Sequence, residues 1–227
     1  RPITIHLRRW RREGIDVYLS RVELDEGKIN TMRALLEPQK LHGAIEQAFP
    51  GERQRRLWRL DRLKGTLYLL LLSEEEPNLA GLAAQFGPED GRAETRDYAP
   101  LLQRIAPGSV WQFRLTANPT KSRMESGQEK RGKVQPHITV EHQSKWLLDR
   151  AEKHGFALDP AAFTVTASGW LHFSKGDKNR VSLLSATYEG VLQVTDADLF
   201  RQTLTRGIGR GKAYGQGLLT VLPRRDG

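Results

Sequence analysis

The sequence predicts an α+β fold in which one order of elements, β-α-β-β-α-β, runs twice along the chain. Three observations carry that expectation. The 227 residues suffice for two compact units that each bury a core. Strand-like alternation and helix-like spacing succeed one another in the same order twice. Between the two rounds, Ala106-Pro107-Gly108 interrupts any regular element.

In the first round, Tyr18 to Leu24 reads as a strand and a helix follows Pro38. Two further strands are joined by a tight turn at Leu63-Lys64-Gly65, and a short helix is expected around Leu79 to Phe86. The segment Thr95 to Ile105 is ambiguous; a last strand there completes the unit. In the second round, Val110 to Ala117 alternates as a strand should, and Glu141 to His154 carries Trp146, Leu147 and Ala151 at helical spacing. Two long strands, Phe163 to Phe173 and Ser182 to Val194, flank the polar turn from Ser174 to Asn179. Asp198 to Leu204 is a helix, and Gly217 to Leu222 the closing strand. The reading is of two tandem ferredoxin-like (RRM-like) domains, residues 17–106 and 107–227, preceded by a basic extension over residues 1–16.

Lys and Arg total 36 against 27 acids, a net charge of +9, which points to a polyanionic partner such as nucleic acid. The extension contributes five arginines and two acids; without it 31 basic and 25 acidic residues remain, so the excess survives at +6. Two readings of residues 1–16 stay open: an upstream in-frame extension, with Val17 the natural start at a non-ATG codon, or a basic arm that touches RNA. There is no cysteine, which removes disulfides, thiolate metal sites and cysteine nucleophiles. The longest apolar run, Leu67 to Leu72, falls far short of the ~20 residues a membrane span needs. A soluble, cytoplasmic protein without membrane contact is the expectation.

Three segments carry candidate chemistry. Gly207 to Gly217 holds five glycines in eleven residues, with Arg210 and Lys212 among them, between a helix and a strand. Glycines let backbone N–H groups approach a phosphate, so Gly209, Arg210 and Lys212 are candidate anion contacts; a tight connector whose glycines satisfy sterics is the alternative. Arg114 to Arg123 is a strand that ends at Asn118-Pro119 and runs into a basic loop with Lys121, Arg123, Lys130, Arg131 and Lys133. That loop either binds a polyanion or is merely solvated.

The third segment opens the first helix. Leu41, Ala44, Ile45, Ala48 and Phe49 mark its buried face, which leaves His42 on the rim, within the first turns where free N–H groups favour a phosphate. A lone helical histidine is also a common surface residue. Of the others, His6 lies in the extension, His137 and His142 flank a loop, His154 is near a helix end and His172 sits within a strand. His137 and His142 stand five apart, no His-Glu-x-x-His occurs, and no carboxylate cluster has two-metal spacing, so neither a metal site nor another cofactor is expected.

Taken in order, these segments resemble the CasE family, the precursor-RNA endonucleases of type I-E CRISPR systems. The resemblance runs from Tyr18 to Leu222 and rests on Tyr18-Leu19-Ser20, Leu41-His42, Leu57-Trp58-Arg59-Leu60, Arg114-x-x-Ala117-Asn118-Pro119-x-Lys121, Glu189-Gly190-Val191-Leu192 and Gly207-Ile208-Gly209-x-x-Lys212-x-x-Gly215-x-Gly217. It implies the same pair of ferredoxin-like domains. It also implies recognition of the CRISPR repeat hairpin in the precursor transcript and one metal-independent cut at the stem base, with the mature crRNA kept within the Cascade complex alongside other subunits. The ribose 2′-OH attacks the adjacent phosphorus and leaves a 2′,3′-cyclic phosphate. His42 matches the family's catalytic histidine, and Lys40 is the candidate for stabilising the phosphorane. Gln39 stands where some members have tyrosine; glutamine donates a hydrogen bond to phosphate but transfers no proton.

For binding, the resemblance places the hairpin bearing Lys175, Lys178 and Arg180 in the groove of the RNA stem; Lys121, Arg123, Arg131, Lys133, Gly209, Arg210 and Lys212 from the two loops above are the further candidate contacts. The aromatic-rich signature of a single-strand RNA-recognition sheet is missing, which favours duplex and backbone contacts over base stacking on the sheet and predicts steep salt dependence. The alternative is a non-catalytic RNA-binding scaffold of the same fold, and His42 separates the two, since a scaffold has no need of it.

Overall fold

The computed structural model of the chain describes residues 16–51, 54, 56–123, 133–175 and 179–224. Residues 1–15, Arg131 and Lys178 lie outside the described residues, as do the side chains of Arg123, Lys133 and Lys175. The described chain divides into two compact units, one ending at Ile105 and the other starting at Ala106.

The first unit comprises β1 (Tyr18–Leu24), α1 (Ile29–Leu36), α2 (Pro38–Gln47), β2 (Leu57–Leu63), β3 (Thr66–Ser73), α3 (Ala80–Phe86), β4 (Ala93–Asp97) and α4 (Ala99–Arg104). Its strands form an antiparallel sheet in the order β2-β3-β1-β4, the arrangement of a ferredoxin-like domain. Val22, Leu69 and Leu71 from the sheet and Leu41, Ile45, Leu82 and Phe86 from the helices make the core. Two differences from the sequence reading stand out. Helix α1 precedes Pro38, and Glu37, held near-extended ahead of the proline, separates it from α2. The last strand ends at Asp97, whose carboxylate accepts from the Ala99 N–H at 2.8 Å and starts α4, so the ambiguous segment is strand first and helix after.

The second unit comprises β5 (Val110–Ala117), β6 (Thr120–Arg123), β7 (Lys133–Pro136), α5 (Val140–Ala151), β8 (Phe156–Ala157), β9 (Phe163–Lys175), β10 (Asn179–Val194), α6 (Ala197–Arg206) and β11 (Leu219–Pro223). The order β11-β5-β10, with β9 and the short β8 on the other side of β10, repeats the topology of the first unit. Thr139 caps α5, and Asp196 caps α6 by accepting from the Asp198 and Leu199 N–H groups at 2.9 Å each. The segment read as a basic loop after Pro119 is a two-stranded ribbon, β6 with β7, closed where the His137 N–H donates to the Pro119 carbonyl at 2.9 Å. Among the described residues, no helix is long and apolar enough to cross a membrane.

Candidate functional site

In the first unit, Pro38 begins α2 and Pro38, Leu41 and Ile45 bury one face, which fixes the rotation of the helix. His42 then falls at the border, its side chain 21% exposed. Gln39, three residues earlier, shares its face, and Glu46 lies one turn later with Oε1 at 4.0 Å from His42 Nδ1. The other Glu46 oxygen accepts from Arg56 Nη1 at 3.0 Å, and the second Arg56 nitrogen lies 3.7 Å from Glu75. The Arg56 guanidinium is buried and sits 3.8 Å from the centroid of the Phe49 ring. A buried charge requires such pairing, and here the pairing also holds the Glu46 carboxylate beside the imidazole.

Lys40 is placed differently. Residues two apart do not face each other on a helix, and Lys40 Nζ pairs with Glu37 at 3.1 Å on the side of a recess lined also by Asn30, Arg33, Gln47 and Gln85. The structure therefore brings His42 and Gln39 to one face and pairs Lys40 with Glu37 on another. The sequence reading missed Glu46 and Arg56. Glu46 had a local signal in its spacing of four from His42, whereas Arg56 meets it only through the fold.

In the second unit, the glycine-rich loop is stitched to the end of β5. Asn118 and Arg210 form an antiparallel bridge, the Gly217 N–H donates to the Thr116 carbonyl at 2.6 Å, and the Ile208 N–H donates to the Gly217 carbonyl at 2.9 Å. Two of the segments singled out in the sequence thus meet, and Arg210 and Lys121 are both exposed there. Sterics account for several glycines: a Cβ on Gly209, at φ +79°, would sit 3.1 Å from the Trp146 indole, and one on Gly217, at φ +92°, would sit 2.6 Å from the Ile208 carbonyl. Lys212, a candidate phosphate contact, is tied to the helix before the loop. Its ammonium donates to the carbonyls of Arg206 at 2.6 Å and Gly207 at 3.2 Å, capping the end of α6.

The β9–β10 hairpin pairs Ser174 with Arg180 and Lys175 with Asn179, and Arg180 is exposed near its tip. At the start of α5, the His137 and His142 rings lie 5.8 Å apart, and the Thr139 hydroxyl lies 2.8 Å from His142 Nδ1. Burial pushes the His137 imidazole below the ordinary histidine range, and Lys121, His142 and Arg150 push the same way, against Asp149. His154 Nδ1 lies 2.8 Å from the Arg150 carbonyl, a contact internal to the end of α5. Among the described residues, no group of three His, Asp or Glu side chains could hold a metal ion.

The family model described as CRISPR associated protein matches residues 17–223. The chain is 28% identical over 226 residues to the CRISPR-associated endoribonuclease Cse3 of Thermus thermophilus, covering 91% of this chain and all of that one. Its fold matches a CRISPR endoribonuclease Cse3 bound to a 19-nucleotide RNA at a TM-score of 0.78 and 27% identity, with 92% and 100% of the two chains covered. Thermus thermophilus Cse3 bound to an RNA representing a pre-cleavage complex matches at 0.77 and 26% identity, over the same shares.

Proposed function

Because the chain belongs to the CRISPR-associated protein family, matched over residues 17–223, we propose that it is an endoribonuclease that binds the repeat hairpin of a CRISPR transcript and cuts once at the stem base. The observation that carries this reading is His42 at the rim of α2, with Gln39 on the same face and Glu46 held one turn away by Arg56.

The reaction is an internal transfer. The ribose 2′-oxygen loses its proton and bonds to the adjacent phosphorus, the bond to the 5′-oxygen breaks, and that oxygen takes up a proton. A 2′,3′-cyclic phosphate and a 5′-OH result. An imidazole suits the proton transfer because its unperturbed pKa near ~6.5 lets it hold or give a proton at neutral pH, and such catalysis contributes roughly 10²–10⁴-fold. Gln39 donates to a phosphate oxygen as negative charge builds. Arg210, Lys121 and the β9–β10 hairpin with Arg180 hold the RNA backbone, a grip that weakens with salt. The product stays bound and joins the other Cascade subunits, and a transcript as substrate sets this work in the cytoplasm.

The test is a labelled repeat hairpin incubated in excess EDTA with the parent protein and with His42→Ala. The parent cuts; the variant binds equally tightly and cuts roughly 10²–10⁴-fold more slowly. A magnesium requirement, or full activity in the variant, overturns the mechanism. Binding without cutting by the parent leaves an RNA-binding scaffold in its place.

A further inference from the structure

The outer strand β9 (Phe163–Lys175) carries an aromatic pair that neither the fold nor the proposed cleavage uses. In an antiparallel ladder, directly paired residues share a face. Ser168, Trp170, His172 and Ser174 pair with Ala186, Leu184, Ser182 and Arg180, so all eight lie on one face of the hairpin. Gln143 of α5 reaches that face at Ser168, to whose hydroxyl its amide donates at 2.9 Å. One pair further out, Leu184 is buried while Trp170 opposite it is exposed.

There Trp170 is 45% exposed, whereas Trp58, Trp111 and Trp146 are all buried. The indole and the His172 ring are parallel to within 10°, with centroids 5.8 Å apart, and the Ser182 hydroxyl, 3.0 Å from His172 Nδ1, holds the imidazole in place. On the opposite face of the same strand Phe173 is buried and packs on Tyr214 at 4.7 Å between centroids. Trp170 is therefore not a core residue displaced to the surface; the strand spends its alternation on putting one aromatic inside and the other out.

No acidic residue occurs from Thr164 to Lys175, and Arg180 is exposed on the same face, four residues or roughly 13 Å along the hairpin from the position opposite Trp170. A flat aromatic surface with a cation further along the same face can take a nucleobase by stacking and the backbone of a neighbouring nucleotide by charge.

We propose that Trp170 and His172 form a stacking platform for one unpaired base of the RNA, next to the duplex that the hairpin grips. The site rests on the RNA-cutting reading and adds to it a contact that discriminates a single-stranded flank from a blunt stem. The base stacks on the indole, His172 backs the indole, and Arg180 meets the backbone.

Affinity at fixed salt decides it, with a 2′-deoxy nucleotide at the scissile position to block cutting. Three RNAs are compared: the hairpin with a single-stranded flank, the same hairpin trimmed blunt, and the flanked hairpin carrying abasic positions in the flank. Trp170→Ala weakens binding of the flanked RNA about ten-fold and leaves the blunt and abasic RNAs unchanged, while Trp170→Phe keeps most of the affinity. Tryptophan fluorescence of the parent is quenched by the flanked RNA alone. Equal affinity of Trp170→Ala and parent for the flanked RNA, or an equal loss on all three RNAs, overturns the platform. A parent that binds none of the three overturns the RNA reading itself, so the two failures are distinct.

Discussion

Glu46 stands one helical turn beyond His42, with Oε1 4.0 Å from the imidazole Nδ1 and its other oxygen held by Arg56 at 3.0 Å. Which nitrogen of a histidine carries the proton is set by what the other nitrogen faces, so a fixed carboxylate on the Nδ1 side orients the ring for work at Nε2. Glu46→Gln keeps the size and removes the charge. Its single-turnover cleavage rate is expected to fall about ten-fold, near 1.4 kcal/mol, with RNA affinity unchanged. A parental rate rules out the orienting role.

The two cations of the glycine-rich loop are expected to separate. Lys212→Met removes the cap on α6 and lowers the melting temperature by about 2–4 °C, with little effect on RNA affinity. Arg210→Ser leaves the melting temperature unchanged, weakens RNA binding about ten-fold and flattens its salt dependence. Thermal melts and salt titrations of both variants check this, and the reverse pattern would return Lys212 to the RNA.

His137 gives the second unit an acid sensitivity whose sign follows from its surroundings. Burial first, then Lys121, His142 and Arg150, hold its folded-state pKa below the unfolded value. As pH falls through ~6.5 the unfolded chain takes up a proton that the native chain resists, so the stability present above that window is lost on acidification through the lower folded value. Between about pH 7.5 and about pH 5.5 the melting temperature of the parent should drop further than that of His137→Gln. Parallel drops would show that this imidazole does not contribute.

Much of the fold could be read in advance because strands such as Val110–Ala117 alternate cleanly and the Lys64-Gly65 turn announces a hairpin. Helix α1 could not, because it buries only Thr31 and Ala34 and leaves Ile29, Met32 and Leu36 exposed, the inverse of the pattern that marks a core-facing helix. The β6–β7 ribbon is four residues to a strand, and Thr-Lys-Ser-Arg carries no apolar alternation. In the site, the rim position of His42 followed from helical periodicity. That Lys40 faces another way from His42 follows from their spacing, since two residues are more than half a turn. Trp170 stands in the polar register of its strand, with Ser168, His172 and Ser174, a signal of exposure that the sequence reading did not use.

The bridge between Asn118 and Arg210 yokes the exit of an early strand to a loop near the far end of the same domain. Transplanting either segment alone into a relative would leave one half of that yoke without its mate, so a chimera that swaps RNA preference has to carry both. For the same reason, a one-residue insertion between Ala117 and Thr120 should misalign the arginine as surely as it displaces the ribbon.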